Sequence, residues 1–408
     1  MRKLLFLALA VIPCLAFAQT LKWQTCIGGT DDEEAASLQK TTDDGFIIAG
    51  WTESTGISGH NGGKDYYIIK LDSNGNTGWE KCFGTSDEEQ AFSIRQTPSG
   101  GYITTGIRNV WRTWTLRLNS AGDTIWTKYY STLSAGSRDI ECTSDSGYTI
   151  AGYKNNNFND SWWIQKLNTD GDSIWSKSMG GSNTDIARGI QQTSDGGYIA
   201  CGTASSADGD VTGHHGSMDA WVVKLDSAGN ITWSNSLGGS SADEANSVIQ
   251  TKDGGYVMAG ETSSNDGDVW GNKGTKNYWI VRLNSSGDTI WTRCYGGTLS
   301  DAAEAIQQTQ DGGFVVAGWA NSTDGDVTGS HGSIDCWIIR LDANGDLIWS
   351  KCMGGSLIDR AFDIQLCDKG DYVIAGDTKS DDGDVSGLHG NYPDIWVARF
   401  TMEPKITV

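Results

Sequence analysis

The stretch that decides the fold is residues 233–290, WSNSLGGSSADEANSVIQTKDGGYVMAGETSSNDGDVWGNKGTKNYWIVRLNSSGDTI, because it recurs along the chain. Its opening tryptophan returns as Trp23, Trp79, Trp126, Trp175, Trp233, Trp291 and Trp349, at intervals of 56, 47, 49, 58, 58 and 58 residues. Seven copies at this period point to a propeller, a solenoid or an array. Within the copy starting at Trp175, four strands are predicted. They are Trp175–Met179, Ala187–Thr193, Tyr198–Thr203 and Ala220–Asp226, with Ser-Asp-Gly-Gly as a tight hairpin between the second and third. Glycine is abundant (54) and proline rare (4), which suits many tight turns, and no helical periodicity appears after residue 18.

Loop lengths order the strands. Moving from the outer edge of one blade to the inner edge of the next crosses about 14 Å, three strand spacings. The turn after Lys-Leu-Asp has room only for a hairpin, so the crossing falls on Gly-Gly-x-x-x-Asp, as in Gly180 to Asp185. The Trp strand is then outermost and the Ile-Gln-Gln-Thr strand innermost. Residues 21–27 form an orphan Trp strand, and the last repeat ends at Ile395–Phe400 without one. The first strand is therefore expected to complete the seventh blade. The fold class is all-β: a seven-bladed β-propeller of four antiparallel strands per blade, closed by its N-terminal strand.

Residues 1–18 read as a signal peptide, with Arg2 and Lys3, an apolar run Leu4–Leu15, and Ala16-Phe17-Ala18 as the cleavage pattern. The propeller is expected over 19–400, with 401–408 as a short loose tail. Export leads to a secreted or cell-surface protein, with no membrane span and a monomeric state. The net charge is −21, or −23 once Arg2 and Lys3 are removed. That balance excludes nucleic acid and leaves cations, basic proteins or neutral glycans as partners. Eight cysteines remain after cleavage. Cys336 and Cys352 lie on the two arms of one predicted hairpin and are the candidates for a bridge.

The run Asp-Glu-Ala-x-Ser-x-x-Gln-Thr-x-Asp-Gly-Gly-Tyr, with Ala-Gly-x-Thr and Asp-Gly-Asp-Val, resembles the repeat propellers of exported proteins in Bacteroidota. Many of those carry a type IX secretion sorting domain, which this chain, ending at Val408, does not show. That resemblance implies a propeller and export, and no single activity. Leu225–Trp233 is also similar to the Trp-docking repeat of quinoprotein and outer-membrane-assembly propellers, one residue short. The Asp-box of sialidases is similar in logic but more tightly spaced.

Several constellations are candidates for function. Asp208-Gly-Asp210, Asp266-Gly-Asp268, Asp324-Gly-Asp326 and Asp382-Gly-Asp384 begin like a calcium loop, and calcium is the cofactor they suggest. The same pattern also suits loop capping through Asx turns around a left-handed glycine. His215, His331 and His389 share a loop position but belong to separate blades. Glu33, Glu89, Asp185, Asp243, Asp301 and Asp359 open the inner strands; either they ring one channel mouth, or, the reading favoured, each caps the crossing loop or binds a neighbouring blade's backbone. Two tryptophan columns read as packing between blades, whereas Trp111 and Trp270 fall in predicted loops where an indole stacks on a partner. The inner-strand column Ala36, Phe92, Arg138, Arg188, Asn246, Glu304 and Phe362 is varied, and Arg138, Arg188 and Glu304 are candidate ligand contacts. Long loops share a face with the crossing loops, so local function is expected there; the loops of the second and third copies are shortened, leaving a notch.

No nucleophile motif, metal triad or phosphate loop is present. The leading reading is a non-catalytic propeller that binds a protein or glycan through the long-loop face, stiffened by calcium. A carboxylate-based hydrolase or lyase at the channel mouth is the alternative, and a structural module of a surface assembly is a third.

Overall fold

The computed structural model describes residues 16–109, 112–130, 135–156, 159–367 and 370–405. They form seven four-stranded antiparallel sheets with no helix among the described residues. Blades 1 to 6 span 33–83, 89–130, 135–179, 185–237, 243–295 and 301–353, and in each the strands lie in chain order from the axis outward. Blade 7 takes its inner three strands from 359–405 and its outer strand, Ala16–Ile27, from the other end of the chain. Ile27 pairs with Ile395 and Ala16 with Lys405. The pairing runs past the expected boundary at 400 and includes Ala16–Ala18. No helix among the described residues is long and apolar enough to cross a membrane.

The second and third strands are apolar on both faces, as strands sandwiched between neighbouring blades must be; Tyr198–Ala204 and Asp219–Leu225 are buried at every position. The outer strands alternate between exposed and half-buried positions. Each anchor tryptophan reaches across to the next blade. Its ring meets an aromatic edge-on, as in Trp23–Phe46 at 5.9 Å, Trp175–Tyr198 at 5.8 Å and Trp349–Tyr372 at 5.7 Å. Six of the rings also cover a glycine of the next outer hairpin. At Gly229 (φ 78°) a Cβ would lie 2.8 Å from Trp175, so the hairpin needs glycine both for its turn and for the ring above it. Trp162, expected outside both columns, is packing too, buried against Trp221 at 4.5 Å.

A further link is charged. Buried Lys166, Lys224, Arg282 and Arg340 on third strands reach the hairpin aspartates Asp145, Asp195, Asp253 and Asp311 at 2.6–2.9 Å. Each cation also donates to a strand carbonyl, for example Lys224 Nζ to Leu225 O at 2.9 Å. Blade 2 has Ser99 in place of the aspartate, and Arg117 donates there to the hydroxyls of Ser99 and Thr97.

The described cysteines are free thiols. The candidate Cys336–Cys352 bridge does not form, and both are buried free thiols. Cys352 pairs with Trp337 and Cys336 with Met353, so the two side chains leave opposite faces of the sheet and enter different interblade cores.

Candidate functional site in the channel and on the long-loop face

Every inner strand carries a one-residue bulge. The pairing steps from Ala35 to Ser37, Ala91 to Ser93, Ser137 to Asp139, Ala187 to Gly189, Ala245 to Ser247, Ala303 to Ala305 and Ala361 to Asp363. The skipped residues are Ala36, Phe92, Arg138, Arg188, Asn246, Glu304 and Phe362. A bulge leaves its residue unpaired and re-aims its side chain. Glycine on the second strand makes room for it: a Cβ on Gly202 would lie 2.1 Å from Ile186 O, and one on Gly50 would lie 1.8 Å from Glu34 O. The Ala-Gly-x-Thr signature is thus the imprint of the bulge.

All seven bulged residues line one cavity of about 520 Å³ on the propeller axis. Arg138, Arg188 and Glu304 therefore share one pocket. Their order around the ring segregates chemistry. Phe362, Ala36 and Phe92 form an apolar arc, Arg138 and Arg188 a basic one, and Asn246 and Glu304 complete the circle.

Pairing within the ring is incomplete. Arg138 lies over the Phe92 ring at 4.5 Å and the Tyr153 ring at 5.7 Å, and no carboxylate among the described residues partners it. Burial holds its guanidinium below the usual arginine range, and the Arg188 charge adds to this. Arg188 Nη2 binds Glu244, but its Nε is buried without an acceptor. Asn246 Nδ2 donates to Ala303 O at 2.9 Å, while its Oδ1 is buried without a donor. Glu304 Oε1 accepts from Trp319 Nε1 at 3.2 Å. Burial pushes its carboxyl up to about 7, with Glu261 reinforcing and Arg188 opposing. One layer further along the channel the charges are closed on themselves: Arg95 bridges Asp139 and Glu141, both at 3.1 Å. Asp139 and Asp363 there accept the backbone amides of Ile190 and Leu38 from neighbouring blades.

Of the two readings of the inner-strand carboxylates, the structure shows the loop-capping one and not a ring of charges open at the channel mouth. Glu33, Glu89, Asp185, Asp243, Asp301 and Asp359 are fully buried and fold back on the loops that cross between blades. Asp185 accepts from Gly181 N at 2.9 Å, Ser205 N at 3.0 Å and Ser206 Oγ at 2.7 Å, and Asp301 and Asp359 repeat the arrangement. Six aligned acids were legible; the buried phase of the strand alternation is what turns them inward.

The Asp-Gly-Asp loops clasp the same crossing loops. Asp208 Oδ1 accepts from Ser182 N at 2.7 Å and Asp210 Oδ2 from Gly180 N at 3.2 Å. Asp266 and Asp268 hold Ser240 and Gly238, Asp324 and Asp326 hold Thr298 and Gly296, and Asp382 holds Ser356. Asp384 Oδ2 is buried without a partner. The glycine between has φ 62–68° in all four loops, and a Cβ on Gly209 would lie 2.3 Å from Gly180 O. Among the described residues no group of three or more histidine, cysteine or acidic side chains is arranged to hold a metal. The loop histidines stay separate: His389 Nδ1 meets Asp394 at 2.7 Å, and His215 and His331 approach Asp219 and Asp335.

On the long-loop face Trp270 is 71 % exposed. Sequence reasoning missed its companions: Leu299 (45 %) and Leu357 (52 %) on crossing loops and Tyr392 (52 %) on a long loop, all over blades 5 to 7. Single apolar residues in polar loops leave no periodic signal. Trp111 lies outside the described residues. Blades 2 and 3 have the short second-to-third connections expected, Arg108 to Arg112 and Asn156 to Asn159.

Comparison with known proteins bears on the fold. No family model matches the chain. A stretch of 221 residues, 49 % of the chain, is 26 % identical to regulatory protein FlaEY of Caulobacter vibrioides and spans 23 % of that protein's length. Among solved structures, the WD40 domain of Neurospora crassa Pan2 superposes with a TM-score of 0.55, at 10 % identity, covering 95 % of this chain and 96 % of that one. Sqt1 from Chaetomium thermophilum gives 0.51 at 11 %, covering 95 % and 100 %, and has also been solved bound to the N-terminus of ribosomal protein L10. A copper-containing fungal alcohol oxidase of the AA5 family gives 0.51 at 12 %, covering 96 % and 76 %. At these identities the likeness is one of fold. The chain has the architecture of a seven-bladed β-propeller, and neighbours of that architecture serve as different things.

Proposed function

We propose that this chain is an exported, non-catalytic propeller that docks a protein through its long-loop face over blades 5 to 7. The observation that carries the reading is the grouping of Trp270, Leu299, Leu357 and Tyr392 as exposed apolar side chains on that one face. The other exposed large apolar residues, Ile125, Tyr129, Ile174, Ile290, Leu347 and Ile348, lie on outer-edge strands and not on the loops of this face. Around the patch, Asp266, Asp324 and Asp382 are exposed and acidic, so the partner presents apolar anchors inside a basic rim. Sqt1, bound to a segment of ribosomal protein L10, supports the reading by architecture alone. Export rests on Arg2–Ala18.

The test is quantitative cross-linking on the producing cells, comparing the wild-type chain, a Trp270→Ser/Leu357→Ser/Tyr392→Ser variant, and an Ile125→Ser/Ile174→Ser control on the outer edge. A partner that cross-links to the wild type and control, and falls at least tenfold in the face variant, supports the reading. Equal cross-linking of the same partners by all three chains refutes it.

A further inference from the structure

We infer that the ring of bulged residues binds a free α-amino acid in the channel, with the carboxylate at Arg138 and Arg188, the ammonium at Asn246 and Glu304, and an apolar side chain against Phe362, Ala36 and Phe92. The argument starts from hydrogen-bonding valence. Buried polar groups are ordinarily paired, and each exception calls for an account. Two adjacent ring positions hold exceptions, Arg188 Nε without an acceptor and Asn246 Oδ1 without a donor, and beside them half-buried Arg138 has no carboxylate partner among the described residues. Two donors followed by one acceptor call for a ligand that offers an oxyanion and, beside it, an N–H or O–H. Glu304, next in the ring, has one oxygen on Trp319 and the other free for a cation.

Charge narrows the class. The chain carries −21, and a field of that sign disfavours a net anion entering the channel. A zwitterion carries no net charge and still satisfies both arcs. The pocket, at about 520 Å³, is of the size that holds small organic ligands. The apolar arc is the only part of the ring that offers no hydrogen bond, so the ligand side chain belongs there. The arrangement fixes three points on one carbon, which selects one enantiomer.

The site is separate from the docking face, so its test stands alone. Isothermal titration of the mature chain, residues 19–408, is made with L-leucine, L-phenylalanine, D-phenylalanine, phenylpropanoate and phenethylamine. Binding of at least one L-amino acid is expected, with a loss of tenfold or more for phenylpropanoate and no detectable heat for phenethylamine. Arg138→Gln is expected to weaken binding at least tenfold, and Ala36→Trp, which fills the apolar arc without touching a charge, to abolish it. Trp270→Ser should leave the titration unchanged. If Arg138→Gln fails to fold, Ala36→Trp carries the same comparison. No heat with any L-amino acid at millimolar concentration, equal binding of phenylpropanoate, or full binding by a folded Ala36→Trp overturns the assignment.

Discussion

Replacing Glu304 with glutamine tests the electrostatics of the channel without any ligand. Glutamine keeps the shape and still accepts from Trp319 Nε1, so the change removes the charge and little else. In the fold, burial raises the Glu304 carboxyl from an ordinary 4.5 to about 7. An acid raised in this way favours folding while protonated; its contribution is full below 4.5 and gone once pH passes about 7. A rise of this size costs the ionised fold on the order of 3 kcal/mol, and partial access to channel water brings the figure to about 2. The variant escapes that cost. It should match the wild type near pH 4.5 and exceed it by about 2 kcal/mol at about pH 8, or roughly 2 to 3 °C in melting temperature for a chain of this length. Urea unfolding of both chains across that range measures the difference directly. A variant that is less stable at high pH, or an offset that does not change with pH, would mean that Glu304 is held by a cation and that the channel charges are assigned wrongly.

Four further outcomes are expected. Gly202→Ala places a Cβ 2.1 Å from Ile186 O and should cost roughly 3 kcal/mol or more, whereas Gly196→Ala, with open space but φ 80°, should cost about 1, so equal melting temperatures would refute the bulge argument. Burial pushes the thiols of Cys26, Cys294 and Cys352 up to about 12, so the native protein should react slowly with thiol reagents at neutral pH while all eight cysteines of the mature chain react in urea; a shortfall without reductant would reveal a bridge. Asp266→Ala frees the amide of Ser240 and should lower the melting temperature, with no change of wild-type melting temperature across millimolar calcium or chelator; a calcium-dependent rise would reassign the Asp-Gly-Asp loops to a cation. N-terminal sequencing of the exported protein should begin at Gln19, and an intact Met1 in the medium would exclude signal cleavage.

Much of the architecture was legible because the repeat spells it several times over. The spacing of Trp23 to Trp349 counts the blades, and the four-residue turn before each anchor fixes which strand is outermost. The column holding Arg138, Arg188 and Glu304 could be picked out because it mixes apolar, basic and acidic residues beside the near-constant alanine column of Ala35, Ala91, Ala187, Ala245, Ala303 and Ala361. What could not be read is local geometry that breaks the period of two. A bulge shifts register by one residue without changing composition, so Arg138 and its equivalents gave no hint of being unpaired. The same limit left Glu33, Asp185 and their companions between two readings: without the phase of alternation, an acid facing the channel and an acid clasping a buried loop look identical. Leu299 and Leu357 were invisible for a simpler reason, since a lone apolar residue in a loop differs from a packed one only by what surrounds it.

The pairing of Ala16–Ile27 with Asp394–Lys405 joins the two ends of the molecule. The outer strand of the seventh blade is translated before the six intervening blades and its partner after them, so that blade is the last to be assembled. Until then the growing protein is an open arc with two unpaired edges, and no arc of six blades can become a ring. Closing it brings together residues separated by almost the entire sequence, a contact that is entropically expensive and slow to form. Once made, the contact acts as a clasp: neither terminus can peel away without opening the circle, so unfolding has to begin at the clasp or break the ring elsewhere. Assembly of the seventh blade and closure of the ring are therefore a single event, and a product cut before Asp394 is held in the unclosed state.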